Sequence, residues 1–400
     1  MDIEGQIWSW GLGYLGRLGI SDTTSYWPPI FGLPKKVLNN ARVLNITQNK
    51  WYNQIQDAVD DADPDGMDEI IVYPGIYHEN IDIGDKSLTL KSLNPDDPEI
   101  IKHTIISGQD TQNGITIGRN AVDGSETRDI SINVTISGFT IENYLSGIVI
   151  LPSWDKYSSS GYTMTINANI QNNRIINNLN NGIRIVDESN LSLSPDVLII
   201  NPVIRNNTLQ NNGCGGINYA NVYLSYIDAP VIAENIIEGG ASIGVHLNGC
   251  QGSKINNNKI SGNAAYGLNL AGCEDFEILN NLISENGISW FLDLGFYYGV
   301  HISQGYGRFD NNTVVNNGMQ IYAFPAQGKQ TNLQGNILWG QKYESRIISI
   351  SEECPVGYSC LEVADPGNTT SIYTDPDFVN IWQWSNVCNN ENNYWSPVFN

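Results

Sequence analysis

Apolar and polar residues alternate in short runs along most of the chain, and turn-forming residues end each run after a few positions. The segment Gly182-Ile183-Arg184-Ile185 is typical, because its aliphatic side chains fall at every second position, as in a strand that buries one face. Asparagine pairs and single glycines separate the runs, and both residue types favour turns and left-handed backbone conformations. The pattern therefore predicts an all-β protein made of many short strands.

These runs belong to a repeat that reads loosely Asn-Asn-x-Ile-x-x-Asn-x-x-x-Gly-Ile-x-Ile. The second asparagine of the pair recurs at intervals of 23 to 34 residues, at Asn173, Asn207, Asn235, Asn258, Asn281 and Asn312. The shortest interval suits one rung of a parallel β-helix (a solenoid), in which rungs lie about 4.8 Å apart. Longer intervals are rungs with an inserted loop.

Stacked rungs place equivalent side chains directly above one another. We therefore expect the second asparagines to form a hydrogen-bonded column at one turn. A second column is expected five residues further along each rung, at Asn178, Asn212, Asn263, Asn286 and Asn317. Both columns are structural, and the aliphatic residues between them form the interior.

A solenoid needs caps, because its ends expose apolar core and unpaired strand edges. In residues 46–62, Trp51, Ile55 and Val59 share one face at helical spacing, and Thr47 is suited to the N-cap, so this segment predicts a capping α-helix. The domains are then an aromatic-rich N-terminal extension (1–45), the capping helix (46–62), the β-helix (63–350) and an aromatic, cysteine-containing tail (351–400).

The stretch QDAVDDADPDGMDEIIVYPGIYHENIDI and the rungs after it resemble secreted right-handed parallel β-helix proteins of the pectin-lyase-like superfamily, over roughly residues 46–350. The resemblance implies a right-handed solenoid and a carbohydrate-active protein. It does not specify a reaction, because the superfamily includes lyases, hydrolases, epimerases, esterases and non-catalytic adhesins. The catalytic signatures of its polygalacturonases, alginate epimerases and pectin methylesterases are absent from this sequence.

Charge and composition narrow the class of partner. The chain has 42 Asp and Glu against 20 Lys and Arg, for a formal net charge of -22, which argues against nucleic acid and against an anionic membrane surface. No apolar run is long enough for membrane insertion, and a secretory signal is absent or already removed. The cysteine content and the resemblance predict an extracellular protein whose partner is a polysaccharide.

Candidate chemistry lies on the strand that follows each repeat glycine. With the aliphatic residues of Gly-Ile-x-Ile inward, the residue between them points outward. The outward row is Thr116, Val149, Arg184, Asn218, His246, Asn269 and His301, with Asn248 and Ser303 next along their strands. Two of the four histidines of the chain fall in this row, which predicts that it forms the floor of a groove.

Insertions in the central rungs supply aromatic residues beside this polar floor. Aromatic rings next to hydrogen-bonding groups suit the apolar face and the hydroxyls of a sugar ring. We therefore assign substrate binding to Asn218, Asn248, Asn269, Ser303, Trp154, Trp290 and Tyr298.

The leading hypothesis for the reaction is β-elimination of a uronate by a polysaccharide lyase. Arg184 would neutralise the carboxylate, and His246 or His301 would take the C5 proton. A tyrosine, Tyr226 or Tyr298, would protonate the leaving oxygen. The negative charge of the chain favours a neutral or weakly charged glycan over a densely charged polyuronate.

Hydrolysis is the second enzymatic interpretation. It requires a pair of carboxylates, for which Asp228 and Asp293 are the candidates. No cofactor and no catalytic metal is predicted, because two histidines about 10 Å apart are too far apart for one ion. Acidic loops such as Asp61–Gly66 leave room for structural calcium.

The six cysteines leave their pairing open. Cys354 and Cys360 span a short loop and are candidates to pair. Cys250 and Cys273 are equivalent in adjacent rungs, where they would either bridge or stack as buried thiols. Cys388 is a rival partner for the Cys354–Cys360 pair, and Cys214 is either left over or paired with Cys388.

The rival interpretation is a non-catalytic structural or adhesive extracellular protein. Both ends of the chain are rich in tryptophan, including Trp8, Trp27 and Trp395. These aromatic ends would then mediate self-association, end to end as in a filament. The missing catalytic signatures favour this interpretation.

Overall fold

The computed structural model describes residues 42–64, 66–118, 129–152, 163–187, 197–216, 219–287, 297–340 and 348–361, and the short segments 8–9, 35–36, 370–371, 384–386 and 395–397. Most of them lie in three long sheets of thirteen, eleven and ten strands. Pairing in these sheets is parallel except around Val43–Asn45, which is antiparallel to both of its neighbours.

Each of ten successive rungs contributes one strand to each of the three sheets; the N-terminal hairpin adds two strands to the largest sheet, and the last described rung adds one strand to each of two sheets. The thirteen-stranded sheet contains Val43–Asn45, Lys50–Tyr52, Asp68–Val72, Leu88–Ser92, Ile130–Ser137, Thr163–Gln171, Val197–Arg205, Val231–Ala233, Lys254–Asn256, Phe276–Leu279, Gly307–Asp310, Thr331–Gln334 and Val356–Gly357. The eleven-stranded sheet contains Gly75–Tyr77, Thr104–Ser107, Thr140–Glu142, Arg174–Ile176, Thr208–Gln210, Ile236–Glu238, Lys259–Ser261, Leu282–Ser284, Thr313–Val315, Ile337–Trp339 and Cys360–Leu361. The ten-stranded sheet contains Ile81–Gly84, Ile115–Ile117, Ser146–Ile150, Asn181–Val186, Ala220–Ser225, Ile243–Asn248, Leu268–Ala271, Tyr298–Ser303, Met319–Phe324 and Ile348–Ile350.

Four further strands form two small antiparallel pairs outside these sheets, Trp8–Ser9 with Lys35–Lys36 and Trp384–Asn386 with Trp395–Pro397. The two helices are Ile55–Asp60 and Pro98–His103. In the parts of the chain that the structure describes, no helix is long and apolar enough to cross a membrane.

The interior of the coil is a single apolar core. Ile175, Leu209, Ile237 and Ile260 are equivalent in successive rungs, and each is fully buried. Burying one such side chain stabilises the fold by about 1.5–3 kcal/mol, so the stack contributes in proportion to the number of rungs. The architecture confirms the parallel β-helix that the repeat predicts.

The two asparagines of each pair have different backbone roles. The first turns the chain: Asn172, Asn206 and Asn257 have φ of 57°, 52° and 58°, a left-handed conformation that asparagine tolerates better than most residues with a Cβ. The second enters the interior, where Asn258 Oδ1 accepts the backbone N–H and the side-chain Nδ2 of Asn235 at 2.9 and 3.0 Å. Equivalent bonds join Asn173, Asn207, Asn235, Asn258, Asn281, Asn312 and Asn336.

A second column of buried asparagines runs parallel to the first. It contains Asn178, Asn212, Asn263, Asn286 and Asn317 and ends on Gln320. One rung carries Gly240 at this position and so supplies no side chain of its own.

The N-terminal helix is shorter than the sequence predicts. It spans only Ile55–Asp60, and an antiparallel hairpin of Val43–Asn45 and Lys50–Tyr52 precedes it. The prediction of a helix over 46–62 is therefore wrong in extent. Thr47 is not the N-cap; its hydroxyl accepts the backbone N–H of Glu69 at 3.0 Å.

The exposure of Trp51 and the hydrogen bonds of Glu79 explain why the helix starts at Ile55 and not at residue 46. Trp51 is 44% exposed, whereas Ile55 and Val59 are buried in the core, so the apolar face that the spacing indicated begins at Ile55. The helix N-terminus is capped from the neighbouring rung, because the Glu79 carboxylate accepts the backbone N–H groups of Ile55 and Gln56 at 3.0 and 2.9 Å. A local side-chain cap is therefore not required.

The predicted pairing of Cys354 with Cys360 is wrong. Cys354 and Cys360 are buried and do not form a disulfide with each other; the strand Val356–Gly357 lies between them, and Cys360 belongs to the next sheet. Cys250 and Cys273 are free and buried; the hydrogen bond between them and their burial raise the pKa of the Cys273 thiol. Of the last two, Cys214 is disulfide-bonded, and Cys388 lies outside the described residues.

Candidate functional site

The outer face of the ten-stranded sheet carries one column of partly exposed polar and aromatic side chains. Strand register defines its members, which we call the outer column: Arg184, Tyr223, His246, Asn269, His301 and Tyr322. In every case the residues on either side in the strand are buried. The alternation of the strands therefore turns the outer column away from the core.

Tyr223 holds the position that the sequence analysis assigned to Asn218. That assignment took Gly216 as the glycine before the strand, but the strand begins at Ala220. Asn221 then stands where a glycine precedes the strand in the neighbouring rung, at Gly244. Asn218 itself lies outside the described residues, and the outer column does not include it.

A hydrogen bond orients His301 within the outer column. Its Nδ1 lies 2.8 Å from Oδ1 of Asn269, and because an amide oxygen can only accept, Nδ1 carries the proton. The neutral ring then keeps a lone pair on Nε2, as in a general base oriented by a second residue. Burial lowers the pKa of His301, which keeps the ring neutral near neutral pH.

Three tyrosines pack around the His301 ring. The ring centroids of Tyr322, Tyr266 and Tyr298 lie 4.9, 5.2 and 5.7 Å from that of His301, and the Tyr322 ring is within 20° of parallel to it. Burial raises the pKa of Tyr266, so its hydroxyl stays protonated. The contacts hold the imidazole in place and put three phenol rings beside it.

His246 occupies a different environment two rungs away. Burial, and secondarily the charge of His301, lower the pKa of His246 to about 4. Its Nδ1 is buried with no hydrogen-bond partner among the described residues, and the Tyr223 ring meets it edge-on at 5.1 Å between centroids. So weak a base is poorly suited to abstract a carbon-bound proton, which favours His301 of the two predicted candidates.

Arg184 is the only lysine or arginine in the ten strands of this sheet, and Asp82 is the only acidic residue in them. The Arg184 side chain is partly exposed and makes no hydrogen bond or ion pair with any residue in the described ranges. The outer faces of the other two sheets, by contrast, carry the ion pairs Lys91–Glu69, Arg308–Glu277 and Lys259–Glu238.

Two predicted binding residues lie in a second row on the same face. Asn248 and Ser303 are in register through Ala271, and Asn248 Nδ2 lies 3.2 Å from the hydroxyl of Ser225. They therefore lie beside the outer column, of which Asn269 is a member, and Tyr298 lies at the start of the strand that carries Ser303.

Two other candidates lie beyond the ends of the strands. Tyr226 follows Ala220–Ser225 in a turn with φ of 57°, is 39% exposed, and its ring lies beside Gly249. Asp228 lies further along this turn, exposed and bridged to Gln251. Neither residue joins the outer column.

Several predicted residues fall outside the described ranges: Asp293, Asn218, Trp154 and Trp290. Most of the aromatic N-terminal extension and of the tail falls outside them too, so the filament interpretation stays a prediction. Within the described ranges, no cluster of three or more His, Cys, Asp or Glu side chains is suited to a metal ion.

The site residues assigned from the sequence do not include Tyr223, Tyr266 or Tyr322. Tyr322 belongs to the next repeat, but Gln320 stands there in place of the glycine that marked the other strands. The row could have been extended by counting from Asn312 and Asn317 instead. Tyr266 gave no such signal, because only the three-dimensional packing brings it to His301.

Comparison with known proteins supports the same architecture. Residues 165–338 match the family model described as the right-handed beta helix region, and no curated protein matches the sequence. An alginate lyase from Paenibacillus sp. str. FPU-7 is 16% identical over 75% of this chain and 95% of that chain, with a TM-score of 0.50.

Two further structures are more distant. The DFA-IIIase from Arthrobacter chlorophenolicus A6 is 13% identical, with coverage of 84% and 97% and a TM-score of 0.45. The A-module of a mannuronan C-5 epimerase from Azotobacter vinelandii is 15% identical, with coverage of 81% and 95% and a TM-score of 0.40. At such identities the likeness concerns the fold alone. With its stacked parallel sheets and the family-model match over residues 165–338, the chain has the right-handed parallel β-helix fold.

Proposed function

We propose that this protein is an extracellular polysaccharide lyase that cleaves a uronate-containing glycan on the outer face of its ten-stranded sheet. The observation that carries the proposal is the 2.8 Å hydrogen bond between His301 Nδ1 and Asn269 Oδ1. It leaves the lone pair of Nε2 available on a neutral, oriented imidazole. The likeness in fold to an alginate lyase agrees with a polysaccharide substrate.

In the proposed reaction, His301 Nε2 takes the proton from C5 of the uronate. The electrons of the C5–H bond form a C4–C5 double bond, and the bond from C4 to the glycosidic oxygen breaks. The hydroxyl of Tyr298 or Tyr322, both in ring contact with His301, protonates the leaving oxygen. Transfer of the proton from the imidazolium to the tyrosinate then restores both groups, and no water is consumed.

Asn269 would form hydrogen bonds to both His301 and the substrate in this step. While its Oδ1 accepts from His301, its Nδ2 is a donor for the substrate carboxylate, on which charge builds as C5 loses its proton. Hydrolysis is less well supported, because it needs two carboxylates and none of the six outer-column residues is acidic.

The test is activity on a panel of uronate-containing polysaccharides, read by the ultraviolet absorbance of the unsaturated product. We expect His301→Ala to lower kcat by about 10²–10⁴-fold, and Asn269→Ala to lower it by a smaller factor. His103→Ala, on the exposed face of a short helix, is the matched control and should retain full activity. Reducing ends without ultraviolet absorbance would indicate hydrolysis instead, and full activity of His301→Ala would refute the assignment of the base.

A further inference from the structure

Arg184 and His301 lie at nearly opposite ends of the outer column. Four rungs separate them through Tyr223, His246 and Asn269, so their Cα atoms are about 19 Å apart. An extended arginine side chain spans well under half of that distance. Arg184 therefore cannot neutralise the carboxylate of the same sugar from which His301 takes a proton, and the role predicted for it from the sequence has to change.

The three rungs between them carry no charged side chain on this column. Tyr223 and Asn269 are uncharged, and the buried ring of His246 is neutral near neutral pH. A homopolyuronate lying along the column would set several carboxylates against this uncharged stretch, in a chain whose net charge is -22. Phenol, imidazole and amide groups are instead suited to the hydroxyls of uncharged sugars.

A glycan that follows the column runs along the axis of the solenoid. One pyranose unit is about as long as one rung is high, so Arg184 faces a unit roughly four places from the one at His301. If a carboxylate is to lie at both places, the acidic units must recur at an interval that divides four. An interval of one is the homopolymer, which the uncharged rungs disfavour; a repeat of two or four sugars also meets the condition, and a repeat of three does not.

We infer that Arg184 binds the carboxylate of a second, distant acidic unit, and that the substrate is a heteropolysaccharide in which single uronates alternate with neutral sugars in a repeat of two or four. The inference deepens the proposed function and rests on it for the position of the cleaved bond. Arg184 is then a residue that determines specificity, because the charge-assisted bond it offers selects the spacing of acidic units rather than the reaction.

The experiment measures binding separately from turnover, on a His301→Ala background. The probes are unsulfated glycans that alternate a uronate with a neutral sugar (hyaluronan, chondroitin and heparosan), deacylated gellan with its four-sugar repeat, and polygalacturonate as the homopolymer. Arg184→Gln should weaken binding of the best alternating probe by about tenfold or more. Raised ionic strength should remove most of that difference.

The matched control is Arg174→Gln. Arg174 belongs to the same rung but lies in the strand Arg174–Ile176 of the eleven-stranded sheet, so the variant makes the same change of charge on another face. It should leave binding unchanged. Fragments of one repeat, too short to span both sites, should bind equally well with and without Arg184.

Three outcomes would overturn the inference: equal effects of the two arginine variants, tighter binding of polygalacturonate than of every alternating probe, or no binding of any alternating probe. Failure of the proposed function is distinguishable from these. If His301→Ala stays active while Arg184→Gln alone loses affinity, the assigned base is wrong and the distant carboxylate site stands.

Discussion

The side-chain amide of Asn221 fills the space that Gly240 leaves in the second asparagine column. Its Oδ1 lies 2.7 Å from Asn212 Nδ2, and its Nδ2 lies 2.9 Å from Asn263 Oδ1, so it joins the asparagines on either side of the gap. A Cβ on Gly240 would lie only 2.7 Å from Asn221 Nδ2. The column thus keeps one amide in every rung from Asn178 to Asn317, although one of them comes from a different strand.

This exchange predicts a compensating pair of substitutions. Asn221→Gly alone should lower the free energy of unfolding by about 1–3 kcal/mol, because buried groups of Asn212 and Asn263 lose their partners. Gly240→Asn alone should also destabilise the fold, because two amides would compete for one space. The double variant restores the ordinary rung and should recover most of the loss. Denaturant unfolding of all four proteins completes the cycle, and strictly additive losses would contradict it.

Neighbouring asparagines should respond differently to the same change. Asn257 is exposed with φ of 58°, so Asn257→Gly should be nearly neutral, whereas Asn257→Ala should cost about 1 kcal/mol of backbone strain. Asn258 is buried and hydrogen-bonded in both directions along the column, so Asn258→Ala should cost more, about 2–3 kcal/mol. Thermal and chemical unfolding measure the differences. Equal losses at Asn257→Ala and Asn258→Ala would show that the two positions do not have the roles described.

His246 should make stability depend on pH. Its pKa is about 4 in the folded chain against an ordinary 6.5. As the pH falls below 6.5, the unfolded chain binds a proton that the folded chain does not, so protonation favours unfolding. Relative to His246→Gln, the wild type should lose up to about 3 kcal/mol of stability between these two pH values. Parallel stability curves for the two proteins across this range would count against the burial of a neutral imidazole.

The pH at which kcat/KM falls on the acid side should shift when a charged residue is placed beside His301. Asn269→Asp places a carboxylate next to Nδ1 of His301, which stabilises the imidazolium and should raise the pKa of that histidine by about 1–3 units. The base is then protonated over a wider range, and the fall of kcat/KM on the acid side moves to higher pH. Asn248→Asp, in the second row of the same face, is the control for added charge. NMR titration of His301 gives an independent measurement, and an unchanged pKa there would be inconsistent with the contact.

Much of the fold follows from periodicity. Alternating aliphatic residues and the recurring asparagine pair predict the stacked strands, and their shared spacing is enough to put Arg184, His246, Asn269 and His301 in one row. The structure has the same row, because register in a solenoid is set by rung length and both asparagine columns fix that length. The chemical roles of these residues do not follow from their spacing, because they depend on side-chain contacts between rungs.

The predictions that were wrong failed because they depended on contacts between rungs or between distant strands. The pair Gly216-Ile217 matches the Gly-Ile of the repeat, although no strand begins there. The strand begins at Ala220, and the repeat was not recognised there because Asn221 stands in place of the expected glycine. The first residues of the predicted N-terminal helix belong to a hairpin instead, because Val43–Asn45 pairs with Asp68–Val72. Ring contacts such as Tyr266 with His301 join rungs, and a one-dimensional pattern does not record them.

Because each rung is a module of nearly constant height, the separation of two side chains on one face is counted in whole rungs. The interval from Asn235 to Asn258 is 23 residues, and excising one such module between Arg184 and His301 would bring them one step closer while leaving both asparagine columns continuous. Insertion or deletion of whole rungs would therefore change the distance between Arg184 and His301 in steps of one rung. The spacing of charges that a bound polymer must present would change by the same steps.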